Sequence, residues 1–159
     1  MKKVFLGLLM SLLAVTANAQ FEAGKKYLNA STTGLGLSYS KNEKVRFNID
    51  ATAGYFFEND WMVYGRVDYG HQPSIDNVGV GAGVRYYISQ NGLYLNLGLQ
   101  YEHFSQTNAN NIYVTPEVGY AFFVNQYITL EPGVYYNMSL NNFSECSKVG
   151  LRLGLGFYF

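Results

Sequence analysis

The chain reads as an all-β protein, an eight-stranded antiparallel up-and-down transmembrane β-barrel, and three features predict it. Its last eleven residues, Val149-Gly-Leu-Arg-Leu-Gly-Leu-Gly-Phe-Tyr-Phe159, place the large apolar side chains on one face of a strand and Gly, Arg152 and Tyr158 on the other. The same alternation recurs along the chain, with no helical period competing. Thirteen of the seventeen glycines and all four arginines fall on the polar face of these segments, as an enclosed lumen would require.

Residues 1–19 read as a cleaved secretory signal: Lys2 and Lys3, an apolar stretch from Val4 to Val15, then Ala17-Asn18-Ala19. That stretch is roughly 12 residues, short of the ~20 that a spanning helix needs. Residues 20–159 are assigned to one barrel domain. With Lys2 and Lys3 removed, nine Lys and Arg face eleven Asp and Glu, a balance that gives no reason to expect a nucleic-acid partner. Cys146 is a single cysteine, so the fold has no internal disulfide.

Eight segments follow in order. The first, residues 27–40, sets Thr33, Leu35, Leu37 and Tyr39 against Gly34, Gly36 and Ser38, and turns at Lys41-Asn-Glu-Lys44. The second carries Val45, Phe47, Ile49, Ala51, Ala53, Tyr55 and Phe57 outward, opposite Arg46, Asn48, Asp50, Thr52 and Gly54. The third opposes Trp61, Val63, Val67 and Tyr69 to Tyr64, Arg66, Asp68 and Gly70, with Gly65 an oddity on the apolar face; residues 72–77 are expected as a loop. The fourth pairs Val78, Val80, Ala82, Val84, Tyr86 and Ile88 against Gly79, Gly81, Gly83, Arg85 and Tyr87, and stops at Ser89-Gln-Asn-Gly92.

The fifth sets Leu93, Leu95, Leu97, Leu99 and Tyr101 opposite Tyr94, Asn96, Gly98, Gln100 and Glu102, before a polar loop at 105–111. The sixth and seventh, residues 112–123 and 127–136, bring Glu117 and Glu131 to the polar face. Each contains a proline, and because Pro116 and Pro132 cannot donate to a ladder, bulges or a local gap are expected between these strands. After a long loop at 137–148 the eighth segment closes the chain. Short links on one side and generally longer ones on the other suit tight periplasmic turns and external loops.

A soluble lipocalin-like carrier alternates equally well, with apolar residues inside. Glycine weakens a strand and has no steric use on a solvated face, whereas a narrow lumen must match small residues to large ones. All five lysines after the signal lie at strand ends or turns, while arginine, able to pair bidentately with carboxylates, occupies the strands. The expected lumenal ion network is Asp50, Arg66, Asp68, Arg85, Glu117, Glu131 and Arg152. Tyr55, Phe57, Trp61, Tyr86, Tyr120, Phe122, Tyr127, Phe157 and Phe159 are expected as an aromatic belt at the periplasmic interface.

On these residues the chain resembles the small outer-membrane barrels of the OmpX and OmpA-transmembrane type, the outer membrane protein beta-barrel domain family of Gram-negative bacteria. The terminal strand ending in Phe159 resembles the signal read by the outer-membrane assembly machinery. The resemblance implies residence in the bacterial outer membrane, contact with its lipid and lipopolysaccharide, a monomer without cofactor or metal, and a structural or adhesion-like role toward a host or surface ligand. A narrow porin for ions or small solutes is the alternative. An eight-stranded barrel has an interior that side chains fill, so the charges are read as core before conduit.

His103-Phe-Ser105 is similar to the His-x-Ser motif of outer-membrane lipid A deacylases and would make a lipid A ester hydrolase the second alternative. Parity turns Glu102 and Glu117 away from that pair and leaves it without an orienting carboxylate, so an interface histidine is preferred and no catalytic residue is assigned. Cys146 and His71 have no metal-binding company, and no phosphate loop or nucleotide fingerprint occurs.

Overall fold

A computed structural model describes residues 21–33, 47–72, 75–88, 92–104, 109–141 and 148–159. The signal segment, the turn at 41–44, Ser105 and Cys146 lie outside the described residues. The strands are β1 (Lys26–Thr33), β2 (Phe47–Glu58), β3 (Trp61–Gln72), β4 (Ile75–Tyr87), β5 (Leu93–Phe104), β6 (Ala109–Tyr120), β7 (Phe122–Phe123), β8 (Ile128–Ser139) and β9 (Lys148–Tyr158). Each pairs antiparallel with its sequence neighbour, β1 pairs with β9, and β6 and β7 both pair with β8, so the sheet closes on itself. The two-residue β7 continues β6 beyond Ala121, whose N–H turns away to donate to the Gly92 carbonyl at 2.8 Å. Nine strands thus make eight staves.

The side chains sort by face as an enclosed polar lumen demands. Leu97 and Leu99 are 58% and 60% exposed on the outer wall, whereas Arg85 and Arg152 are 2% and 8% exposed inside. That orientation is opposite to a lipocalin's. Among the described residues no helix is long and apolar enough to cross a membrane, which leaves crossing by strands untouched.

Links at one end, here the inner end, are short. Asp60 takes a positive φ of 65° in the β2–β3 turn, a conformation that Asp tolerates, and Gly92 takes 69° before β5. Between β7 and β8, Asn125 Oδ1 accepts from the N–H groups of Tyr127 and Ile128, both at 2.8 Å, and folds the link into a side-chain-capped turn.

Two expectations change at the outer end. Residues 72–77 do not form a loop, because β3 and β4 keep pairing to Gln72 and Ile75 and leave only 73–74 between them. In β1 the odd positions Tyr27, Asn29 and Ser31 are buried, while the expected pattern of residues 33–39 put odd positions outward. The rest of that segment lies outside the described residues.

The prolines act together. Pro116 sits in unbroken register with Leu97 on β5, and Pro132 with Leu153 on β9, so each missing N–H belongs to the opposite side of its strand. Both therefore point into the seam between β6/β7 and β8. That ladder runs Tyr113↔Ser139, Val114↔Met138, Glu117↔Tyr135, Val118↔Val134, Gly119↔Gly133 and then Phe122↔Leu130. Positions 115–116 and 120–121 are skipped with no change of register, so the result is two gaps and no bulge. Thr115 Oγ1 donates to Asn137 Oδ1 at 2.9 Å across the first gap and partly replaces the lost backbone pairing.

Amide hydrogen exchange should be faster at Val114, Tyr136 and Met138, whose N–H groups face the interrupted seam, than along β4 and β5. Pro116→Val, which restores a donor, should slow that exchange and stabilise the barrel by about 0.5–1.5 kcal/mol in urea unfolding.

Candidate functional site

Among the described residues buried charge gathers in the lumen, which is built in tiers. Its inner tier centres on Glu131 of β8. Tyr27 Oη donates to Glu131 Oε2 at 2.6 Å, Arg85 Nη1 to the same oxygen at 2.9 Å, and Tyr158 Oη and Thr129 Oγ1 to Oε1 at 2.8 and 2.7 Å. Arg85 Nη1 also donates to Tyr27 Oη at 3.0 Å and to Tyr87 Oη at 3.1 Å, and its guanidinium lies 4.1 Å from the centroid of the Tyr94 ring. A carboxylate out of water is tolerable only when its lone pairs are taken up, and here four donors take them.

The middle tier joins Glu117 of β6 to Arg152 of β9. Arg152 Nη1 donates to Glu117 Oε2, with Arg66 Nη2 3.9 Å from the same oxygen. Tyr94 Oη and Asn96 Nδ2 donate to Glu117 at 3.2 and 3.3 Å. Asp50 of β2 accepts from Ser31 Oγ and stands 3.7 Å from both Arg66 Nε and Arg152 Nε. These two tiers reach every one of the eight staves.

Six of the seven expected network residues are thereby joined by ion pairs. Asp68 is the exception: it sits one tier further out and accepts from Gln100 Nε2 at 2.8 Å, with no salt bridge among the described residues. The sequence reading missed Tyr27, Tyr87 and Tyr94, which supply hydroxyls and π faces to the guanidinium groups. For Tyr87 and Tyr94 the signal was present, since both alternate with the Gly, Arg and Asn of the polar face; Tyr27, among Asn29 and Ser31, carried none.

Glycine makes room for those rings. A Cβ on Gly119 would collide with the Tyr94 ring, one on Gly150 with the Tyr135 ring, and ones on Gly83 and Gly98 with Tyr64 Oη. The outward Gly65 has nothing within 4 Å of that position. The space remaining between Tyr64, Arg66, Gln100 and Thr115 is about 10 Å³, at the lower limit for one water.

The inner mouth is stoppered. Phe21, ahead of β1, stacks on Tyr87 at 3.9 Å between centroids and packs against Phe56, Tyr158 and Phe123. Its carbonyl accepts from Asp60 N–H at 2.8 Å, and Gly24 N–H donates to the Phe56 carbonyl at 2.8 Å, which pins the segment to the rim. Around the same rim Tyr55, Phe57, Trp61, Tyr127, Phe157 and Phe159 stand exposed on the outer wall, with Tyr86, Tyr120 and Phe122 half-buried among them.

The other candidates do not assemble. His103 Nδ1 lies 2.8 Å from Asn110 Oδ1, its cross-strand neighbour, while Ser105 lies outside the described residues. Glu102 is buried in the lumen. No group of three His, Cys, Asp or Glu able to hold a metal occurs among the described residues.

Glu117→Ala should destabilise the barrel by about 3–5 kcal/mol in urea unfolding, because it strands Arg152 in an enclosed site, and adding Arg152→Met should recover part of that loss. Gly119→Ala, which drives a methyl into Tyr94, should cost about 1–3 kcal/mol.

No protein-family model matches the chain, and no curated protein matches it. Solved structures do. The N-terminal β-barrel domain of Pseudomonas aeruginosa OprF superposes with a TM-score of 0.63 at 15% identity, covering 86% of this chain and 98% of that one. The Yersinia pestis outer membrane protein Ail gives 0.59 at 15% identity, over 86% and 99% of the two chains. The outer membrane protein OprG of P. aeruginosa gives 0.54 at 15% identity, over 87% and 97%. With its closed eight-stave sheet, polar packed lumen and apolar outer wall, the chain has the fold of the small outer-membrane barrels of OmpX and OmpA-like architecture.

Proposed function

We propose that the chain is an integral protein of the bacterial outer membrane and that its barrel is a non-conducting, non-enzymatic platform presenting the outer loops to a surface ligand. The observation that carries this reading is the filled lumen. Two tiers of ion pairs cross it, about 10 Å³ is left between Tyr64, Arg66, Gln100 and Thr115, and Phe21 stoppers its inner mouth. An ion in transit would have to break enclosed pairs whose loss costs about as much as unfolding a marginal domain.

The outer wall supports the lipid setting. Leu95, Leu97, Val118 and Val134 are exposed there, and with Pro116 and Tyr136 they line a groove of about 680 Å³ along the β6–β8 seam, apolar relief that acyl chains would fill. The rim aromatics suit the level of the headgroups. Lipopolysaccharide would meet the outer end, the terminal strand would carry the signal for the assembly machinery, and residues 1–19 would direct export. The loop-borne role draws on likeness of fold to Ail, whose name is the attachment invasion locus protein.

Purified barrel in planar lipid bilayers should give a flat current trace. Steady conductance steps abolished by Glu117→Gln or Arg152→Gln would replace this reading with a narrow porin. A surface-binding screen should find ligand with the intact outer loops and lose it with a loop-trimmed barrel that still reaches the outer membrane.

A further inference from the structure

The apolar groove of the outer wall carries one polar atom that a hydrocarbon setting cannot satisfy. The groove, about 680 Å³ in volume, runs from Trp61 and Tyr86 at the inner rim past Leu95 and Leu97 to Pro116 and Tyr136. Barrel strands tilt by about 35–45°, so a path that crosses the ladders at nearly constant register climbs the wall. It reaches Tyr136 in the outer third of β8.

Pro116 faces Tyr136 in unbroken register, since Val114 pairs with Met138 on one side of them and Glu117 with Tyr135 on the other. Partners in a hydrogen-bonded antiparallel pair exchange two N–H to carbonyl bonds. Ile112 and Leu140, of the same parity, are joined by such a bond at 2.9 Å. The Tyr136 carbonyl is therefore aimed at a ring nitrogen that has no hydrogen to give. The neighbouring Thr115 hydroxyl is engaged with Asn137 Oδ1 at 2.9 Å. Pro132 deprives the Tyr120 carbonyl in the same way, but Tyr120 stands at the inner rim, where water and headgroups offer donors. At the level of Tyr136 lipid offers none, and an unanswered backbone carbonyl there is costly.

We infer that the groove holds one hydroxyacyl chain of the lipid anchor of lipopolysaccharide, its hydroxyl donating to the Tyr136 carbonyl and its tail descending past Leu97 and Leu95 toward Trp61. A plain acyl chain would fill the groove and leave the carbonyl bare, whereas a hydroxylated one supplies apolar length and the missing donor together. The polarity also fits, because an outer-leaflet lipid enters from the end where the carbonyl lies. Between β8 and β3 the path crosses four ladders. At about 4.8 Å each this is roughly 19 Å, the reach of a long saturated chain. The inference rests on residence in the outer membrane and is independent of whether the lumen conducts.

The test titrates folded barrel in zwitterionic micelles with methyl 3-hydroxytetradecanoate and, in parallel, with methyl tetradecanoate. Tyr136-Asn137 is the only Tyr-Asn step in the sequence, so carbonyl-¹³C tyrosine combined with ¹⁵N asparagine isolates one carbonyl resonance. The hydroxylated chain should shift that resonance saturably and bind about three- to tenfold more tightly than the plain chain. Pro116→Val, which returns an N–H to Tyr136 and keeps the groove apolar, should bring the two affinities within about twofold. Leu97→Trp, which fills the groove, should abolish binding of both. Equal affinities in the wild-type barrel, or a hydroxyl preference that survives Pro116→Val, overturn the hydroxyacyl site and leave the membrane reading intact. That reading fails instead if the full chain, expressed in cells, fractionates with soluble proteins. No saturable shift with either chain also overturns the site, and cross-linking to a dimer would then give the groove to a second copy.

Discussion

The guanidinium–carboxylate pairs across the lumen set the terms for the rest of the structure. Arg152 with Glu117 and Arg85 with Glu131 each tie staves that are not hydrogen-bonded neighbours, and neither partner is tolerable there alone. Once those charges are enclosed, the surrounding side chains must supply donors, and tyrosine supplies them while filling volume. Glu131 illustrates this: two phenols, one threonine hydroxyl and one guanidinium complete its shell, so the anion is held as firmly as a backbone carbonyl in a ladder.

Volume is the second constraint, and it follows from the first. Eight staves enclose a space that side chains alone must fill, so each ring needs a vacancy opposite it. Tyr94 lies over Gly119, Tyr135 over Gly150, and Tyr64 over Gly83 and Gly98. The glycines that weaken individual strands are therefore where the lumen gains its packing. The outer wall carries no such demand, and there aliphatic side chains such as Val67, Val80, Leu97 and Leu99 stand between aromatic ones.

Much of this was legible in the chain. Leu95, Leu97 and Leu99 alternating with Asn96, Gly98 and Gln100 fix which face is which, because a shift of one residue would reverse every side chain. Arg152 and Glu117 could be named as lumenal, but not as partners, since pairing across a barrel depends on stagger, which alternation does not encode. Asp68 shows the cost of that gap: assigned to the arginines, it is met by the amide of Gln100. The link at 72–77 misled because Gln, Pro, Ser, Asp and Asn signal a turn, and turn composition does not say how far pairing persists on either side. Phe21 was invisible as a stopper because it belongs to no strand and its role comes from the rings that the closed sheet brings around it.

Pro116 and Pro132 remove their donors from one joint only, the joint between the sixth and seventh staves. Among the described residues the other joints keep their pairing apart from a bulge between Phe56 and Glu58 on β2, so a tensile load on the wall would concentrate at the proline joint. The hairpin of β8 and β9 would swing out on its bond to β1 as a door does on its hinge, and the barrel carries in two proline rings the place where it would come apart under strain.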